Sequence, residues 1–425
     1  MTPKTIKRGS YGADVATWQM ILNAGAKPTT WVASDGVTRS WPSTWAWPIA
    51  VDGDFGQRTE WATQAWQYEH ALVADGIVGP KTWAAAGAAG VASATSAPSG
   101  DLGFEFIPTR QYTSASRTTI DLVVIHTAEC AEVRSAAENV ATWGARPAAD
   151  GGPKGASWHY MVDADSVTQS VREKDIAWHA GPVNAFSIGI EHAGYHTQTA
   201  AQWADPYSRA MLERSAQIVG DICRRYLIPV QRLTAEDLRA GQKKGITGHV
   251  DVTMGLSGGK GHVDPGPHFP WDWYLARVRF HARPLRELVV GGVRWLVAPT
   301  YIAPVSIGEA QRIAAARGCE LPTPELVDAI WRAADLRVEP QPMAPNKGDD
   351  VAQFAAHAEL VERAVGDRPF RLLAGTHKDV VRSGGRVGLY GWHRADARPI
   401  QGFFAGHALA YRDYSQGLRL VRRLT

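Results

Sequence analysis

The sequence predicts a multidomain protein: an N-terminal three-helix bundle, a central α/β domain built on a mixed sheet, and a C-terminal α+β domain. Three observations predict it. The chain has 425 residues, more than a single hydrophobic core usually serves. Residues 84–103, AAAGAAGVASATSAPSGDLG, are small, uncharged until Asp101 and nearly without bulky groups, so they cannot bury a core and read as a flexible tether. The hydrophobic period also changes along the chain, from helical spacing at Val15, Trp18 and Leu22 to a short apolar run at 120–126. A weaker break falls in 281–299, after the aromatic run WDWYLARVRF. The divisions that follow are 1–88, a linker at 89–103, then 104–285 and 290–425.

Composition sets outer bounds. Forty-five Lys and Arg against 42 Asp and Glu give +3, too mild for a nucleic-acid coat. Three scattered cysteines, Cys130, Cys223 and Cys319, can build neither a disulfide framework nor a Cys-based zinc finger. No run approaches the ~20 apolar residues that span a bilayer, and MTPKTIKRGS leads directly into polar sequence, so no signal peptide and no transmembrane segment is expected. The expected place of synthesis is the cytoplasm, with some other agent delivering the protein if its target lies outside.

In the first segment, Asp52-Gly53-Asp54-Phe55-Gly56-Gln57-Arg58-Thr59 recurs as Asp75-Gly76-Ile77-Val78-Gly79-Pro80-Lys81-Thr82, with Trp61 and Trp83 just beyond. Each copy is a tight turn that launches a helix, Pro80 sitting where a first helical residue tolerates a missing N–H. Asp52 and Asp54 do not make an EF-hand, because Gly56 and Thr63 stand where that loop wants a carboxylate or amide and its closing Glu. GxxGxxVxxWQ from Gly9, then VDGDFGxxT, then DGIVGPKTW resemble the three-helix peptidoglycan-binding domain found beside many wall hydrolases, over residues 5–88. An insert around 24–50 carries Trp31, Trp41, Trp45 and Trp47 and is expected to reshape that domain's glycan groove.

The central segment reads as strands at 120–126, 158–163, 166–172 and 187–191, with an amphipathic helix marked by Met211, Ile218 and Ile222. The first strand ends in His126. Further on, Gly248-His249-Val250-Asp251 and Gly261-His262-Val263-Asp264 flank a glycine-rich loop whose ends can meet. Catalytic zinc takes three ligands from His and Asp/Glu and leaves a fourth position for water, a set that His126, His249 and Asp264 could supply. Spacing alone leaves the two GHVD copies in competition.

IHTAE, SWHYMVD, Gln169 in SVTQSV, AWHAG with Asn184, SIGIE, TGHVD and HVDPGPHFPW resemble, in order and spacing, the zinc-dependent N-acetylmuramoyl-L-alanine amidases, whose fold the peptidoglycan recognition proteins and several phage lysins share. The resemblance covers about residues 105–280. It implies His126, His249 and Asp264 as zinc ligands, with Asp251 and His262 as neighbours. It implies Glu191 as the acid that activates water, and His262 in the place of a family lysine that faces the developing oxyanion. Trp158, His159, Trp178, His179 and Asn184 are expected to line the substrate groove, with Trp158 where the family commonly has a nearby Tyr. The implied reaction is hydrolysis of the amide between N-acetylmuramic acid and L-alanine of the stem peptide, in a phage endolysin released to the wall through a holin-type lesion. The alternatives are a metal-free muropeptide receptor, or a secreted wall-degrading toxin with a second activity in its C-terminal domain.

Residues 300–425 resemble nothing of nameable function. Helical patterns in 307–336 and 351–366 precede a strand-rich end, where His377, His393, His407, Asp379 and Asp413 gather with Tyr411 and Tyr414. These are candidates for a second hydrolytic or metal site, against a plain accessory domain for wall or partner binding.

Overall fold

A computed structural model describes residues 5–10, 13–49, 54–88, 100–344 and 350–424. Gly12, the Asp52-Gly53 turn and residues 89–99 of the expected linker lie outside the described residues. No described helix is long and apolar enough to cross a membrane.

The N-terminal segment holds three helices, α1 (Ala13–Ala24), α2 (Gln57–Glu69) and α3 (Pro80–Ala88), with Pro80 opening α3 as expected. A hairpin of β1 (Thr30–Val32) and β2 (Thr38–Ser40) joins α1 to α2. The sequence repeat has a structural counterpart in two glutamines. Gln19 Nε2 donates to Asp54 O at 2.9 Å and Thr59 Oγ1 at 3.1 Å, while Gln67 Nε2 donates to Ile77 O at 2.9 Å and Thr82 Oγ1 at 3.2 Å. Each buried amide pins the turn that starts the next helix. In the insert, Trp31 and Trp41 are buried and join Trp18, Trp61 and Trp66 in one aromatic core, with Trp18 on Trp66 and Trp31 on Trp61 in edge-to-face contact. Trp31 and Trp41 thus thicken the core, while Trp45 and Trp47 pack against it half-buried.

The central sheet has the order β8-β4-β7-β5-β6-β3, where β3 is Glu105–Phe106, β4 Leu122–Thr127, β5 Tyr160–Val162, β6 Val167–Gln169, β7 Ser187–His192 and β8 Gly245–Gly248. Only β5 and β6 pair antiparallel, so the sheet is mixed as expected. All of β4 is buried, consistent with its continuous apolar run. Helix α4 (Ala136–Gly144) covers part of the sheet, and α5 (Pro206–Tyr226) is capped by the Asp205 carboxylate, which accepts from Ser208 N at 2.9 Å. Short α6 (Ala235–Arg239) precedes β8, α7 (His249–Leu256) follows it, and α8 (Trp271–His281) packs on α5.

The expected division near 290 is not a break in packing. Helices α9 (Ile307–Ala316), α10 (Pro324–Ala333) and α11 (Asp350–Val365) fall where the helical patterns lie. The core of the central sheet runs on without interruption into Val305, Ile313, Leu418 and Leu420. Gln217 of α5 donates to Ala303 O at 2.8 Å, and Arg317 pairs with buried Asp221 at 3.2 Å. The end of the expected linker is docked as well. Asp101 Oδ2 accepts from Gln169 Nε2 at 2.7 Å, and a Cβ at Gly103 (φ +84°) would stand 2.4 Å from Ile313 Cα. A four-stranded sheet completes this part, with β9 (Lys378–Ser383), β10 (Arg386–His393), β11 (Pro399–Phe404) and β12 (Gln416–Gly417) in the order β11-β10-β9-β12. The stretch 405–414 expected to be strand-rich is irregular, because the edge strand stops at Phe404.

Candidate active site

Parallel pairing sets the site. In the β4–β7 register His126 stands directly opposite Glu191, and β8 pairs with β4 so that Gly248 faces Ile125. The next residue, His249, opens α7 beside the end of β4. Ligands gather at the carboxyl ends of parallel strands for this reason: adjacent strands deliver side chains from distant sequence to one edge. The loop returning from α7 is tied down by Val250 N donating to Asp264 O at 2.8 Å.

His126 Nδ1 lies 3.1 Å from Asp264 Oδ2, and His249 Nδ1 lies 3.3 Å from Asp264 Oδ1. Among the described residues these three form the one group of His, Cys, Asp or Glu whose donor atoms, all within 4.8 Å of one another, could hold a metal ion. All three are buried at the floor of an open cleft of about 680 Å³. Burial pushes the Asp264 carboxyl up, but the His126 and His249 imidazoles outweigh it and hold Asp264 well below the usual carboxylate range. Burial also lowers His126, against the pull of Asp264, and keeps that ring neutral. Neutral imidazole with ionised carboxylate is the donor chemistry zinc takes, so the residues fit the metal. Glu191 supplies a second sign. Its Oε2 is enclosed without a hydrogen-bond partner among the described residues, and burial, Asp264 and Glu129 together raise its carboxyl well above the ordinary value.

Asp251 turns away from the centre: its Oδ2 accepts from Gly248 N at 3.3 Å and pairs with Arg232 at 3.2 Å, capping α7. His262 is exposed at the mouth, stacked on His249 with ring centres 4.2 Å apart and Nδ1 3.7 Å from Asp264 Oδ1. Trp158, Trp178, His179 and Asn184 line the cleft. His159 does not. It is fully buried behind His179, with Gly189 N donating to its Nδ1 at 3.1 Å and Arg117 Nη2 2.8 Å from its Nε2. Burial and the Arg117 charge press its imidazole down to about 3, so it is a neutral packing residue and the groove role expected of it is corrected. Asn184 also has scaffold work, its Oδ1 accepting from the backbone N–H of His179 and Ala180.

Several further cleft residues were not singled out from the sequence, although Glu129 closes the word IHTAE. Trp143 is 42% exposed, anchored by Nε1 to Gly151 O at 2.8 Å and nearly parallel to Trp158. Glu129, at φ +50°, accepts from Thr127 Oγ1 at 2.8 Å and faces His196 Nδ1 at 2.8 Å. Lys260 sits on the glycine-rich loop, whose composition was the one available hint.

The second cluster expected in the C-terminal part does not form. His393 pairs with Asp328 at 2.8 Å, Lys378 with Asp413 at 2.6 Å, His407 stacks on Tyr411, and Asp379 accepts from Tyr301 OH at 3.0 Å. His377 faces His357 with ring centres 5.0 Å apart, and Tyr414 OH accepts from Met343 N. His407, Tyr411 and Asp413 are linked through Tyr411, whose OH donates to Asp413 Oδ2 at 3.2 Å, but no set of metal donors converges here among the described residues.

Two family models match the chain: N-acetylmuramoyl-L-alanine amidase over residues 116–267 and peptidoglycan binding domain over residues 43–86. The chain is 31% identical over 176 residues to N-acetylmuramoyl-L-alanine amidase A of Achromobacter lyticus, covering 38% of this chain and 85% of that protein. It is 29% identical over 132 residues to the 1,6-anhydro-N-acetylmuramyl-L-alanine amidase AmpD of Haemophilus influenzae, covering 29% of this chain and 59% of that protein. Among solved structures, a selenomethionine AmpD derivative matches with a TM-score of 0.31 and 23% identity over 42% of this chain and 98% of that one. The hydrolase AmiA of Staphylococcus aureus matches with a TM-score of 0.32 and 17% identity over 45% of this chain and 86% of that one.

Proposed function

The chain belongs to the N-acetylmuramoyl-L-alanine amidase family, and from that premise we propose that it is a zinc-dependent peptidoglycan hydrolase cutting between N-acetylmuramic acid and L-alanine of the stem peptide. The observation that carries the reading is the convergence of buried His126, His249 and Asp264 in an open cleft beside Glu191, whose Oε2 has no hydrogen-bond partner among the described residues. A zinc ion on those three side chains would supply Lewis acidity to the scissile carbonyl and bring the pKa of a water to roughly 7.

Glu191 is the general base in this reading. Its raised proton affinity suits a group that takes a proton from water and returns it to the leaving amine. His262, at the mouth beside Asp264, is placed to donate N–H to oxygen developing negative charge, the task the family gives to lysine. Trp143, Trp158 and Trp178 give the wall of the cleft large apolar faces, suited to sugar and alanine methyl groups.

The wall-binding segment beside the amidase supports a lytic role, and we infer that of a phage endolysin reaching the wall once the membrane is opened. Lysis of a host expressing the chain only when a membrane-permeabilising protein is co-expressed tests that role; lysis without it overturns it. For the chemistry, purified peptidoglycan incubated with the protein should yield new L-alanine amino termini, identified by mass spectrometry, and a chelator should stop their release. Release of a different fragment, or release insensitive to chelator, contradicts the assignment.

A further inference from the structure

Three hydrogen bonds run in series behind the candidate metal ligands. Ser187 Oγ lies 2.8 Å from Val183 O, His179 Nε2 lies 3.1 Å from Ser187 Oγ, and His126 Nε2 lies 3.1 Å from His179 Nδ1. The direction of the series follows from proton count. A carbonyl only accepts, so the single hydroxyl proton of Ser187 goes to Val183, and the hydroxyl oxygen must accept from His179. A neutral imidazole with its proton on Nε2 has a bare Nδ1, which accepts Nε2–H of His126. His126 is left with Nδ1 unprotonated, facing Asp264 and the cleft. Run the other way, the series would put a proton on His126 Nδ1, aim it at Asp264 and close one ligand position.

The backbone is cut to fit this arrangement. Ser187, Gly189 and Glu191 alternate along one face of β7. A Cβ at Gly189 would stand 2.7 Å from His179 Cγ and Nδ1, so glycine is what lets the ring lie against the strand between Ser187 and His126. Asn184 fixes the other side, accepting from the His179 backbone at 3.2 Å. A metal-bound histidine commonly hands its second N–H to a carboxylate, carbonyl or water; here the acceptor is another histidine, itself set by a serine.

We propose that His179, oriented by Ser187 and given room by Gly189, is a positioning residue that keeps the ring proton of His126 on Nε2 and so presents Nδ1 bare to a divalent cation. The proposal rests on the reading that His126, His249 and Asp264 hold the metal.

The test uses the full chain and two readouts other than turnover: zinc affinity by competition with a fluorescent chelator, and ring tautomers from long-range nitrogen–proton spectra of the zinc-loaded, histidine-labelled protein. The parent protein should place the proton on Nε2 in both His126 and His179. His179→Leu should weaken zinc by about 10–100-fold, the cost typical of losing such a support. Gly189→Ala should do the same with every bonding group still present, and Ser187→Ala should give a smaller loss. His179→Gln should stay near parental affinity, because its amide oxygen can accept from His126 while its NH2 donates to Ser187. A proton on Nδ1 of His179, or parental affinity in both His179→Leu and Ser187→Ala, overturns the proposal. His126→Ala separates the two claims: zinc bound as tightly in that variant would refute the ligand assignment itself, whatever the state of His179.

Discussion

Two histidine-rich clusters lie in this molecule, and they differ in one physical respect. At the cleft, His126, His249 and Asp264 turn their donor atoms toward one point and leave it open to solvent through a wide mouth. In the C-terminal part, His357 and His393 are equally buried and His377 is half-buried, yet His357 and His377 face each other while His393 turns to Asp328, and the adjoining cavities hold about 10–20 Å³, room for a water at most. Histidine count and burial are therefore shared by a site and a non-site. Convergence with access distinguishes them.

The largest expected effect that sharpens this contrast is at the cleft. Glu191→Gln should lower turnover on peptidoglycan by about 10²–10⁴-fold while zinc content stays unchanged, measured by amine release and elemental analysis. A variant with near-parental turnover would remove Glu191 from the chemistry.

Next comes the relation between the two regions. Truncation after residue 285 removes Val305, Ile313, Leu418 and Leu420 from a core they share with the central sheet and strips Arg317 from buried Asp221. Such a fragment should be insoluble or lack a cooperative melt, since four buried side chains at about 1.5–3 kcal/mol each are comparable to the whole margin of an ordinary domain. A soluble, active fragment would show that the C-terminal part is a separate body after all.

A smaller effect concerns pH. Burial pushes the Asp379 carboxyl up to about 7 in spite of Arg419 nearby. A carboxyl raised in the folded state gives stability that is complete below the unfolded value near 4 and is lost as pH rises to about 7, at about 1.4 kcal/mol for each unit of displacement. Melting temperature should therefore fall between pH 4 and 7, and Asp379→Asn should flatten the fall. An unchanged slope would mean that Asp379 is ionised and paired throughout. The smallest effect expected is none: His407→Ala, at a ring stacked on Tyr411 far from any convergent donors, should leave amidase turnover and zinc content at parental values.

Much of the cleft was legible in the sequence because its residues sit at strand ends and in short rigid words. His126 closes an apolar strand, Glu191 closes another, and Asp264 precedes Pro-Gly; each position follows from local pattern once the strands are parallel neighbours. His159 was misplaced because its fate depends on Gly189, whose N–H donates to Nδ1, and on Asp175 O, which accepts from Nε2 at 3.2 Å, with the Arg117 charge beside it, all of them distant in sequence. Trp143 and Lys260 went unread for a related reason: only the closing of α4 and of the glycine-rich loop over the strand ends makes them cleft residues. In the insert, Trp31 and Trp41 are taken into the core, Trp31 by edge-to-face packing on Trp61, which their crowding in sequence does not reveal. Composition reads 89–103 as a linker, of which 89–99 lie outside the described residues, and its end at 100–103 is held by Gln169 and α9, contacts that composition does not encode.

The most direct measurement is anomalous diffraction at the zinc edge from crystals of the full chain grown with zinc. One strong peak is expected, bonded by nitrogen of His126, nitrogen of His249 and oxygen of Asp264 at about 2.0–2.2 Å and open to the cleft on its remaining side. A peak elsewhere, or a zinc shell lacking any one of those three residues, would contradict it.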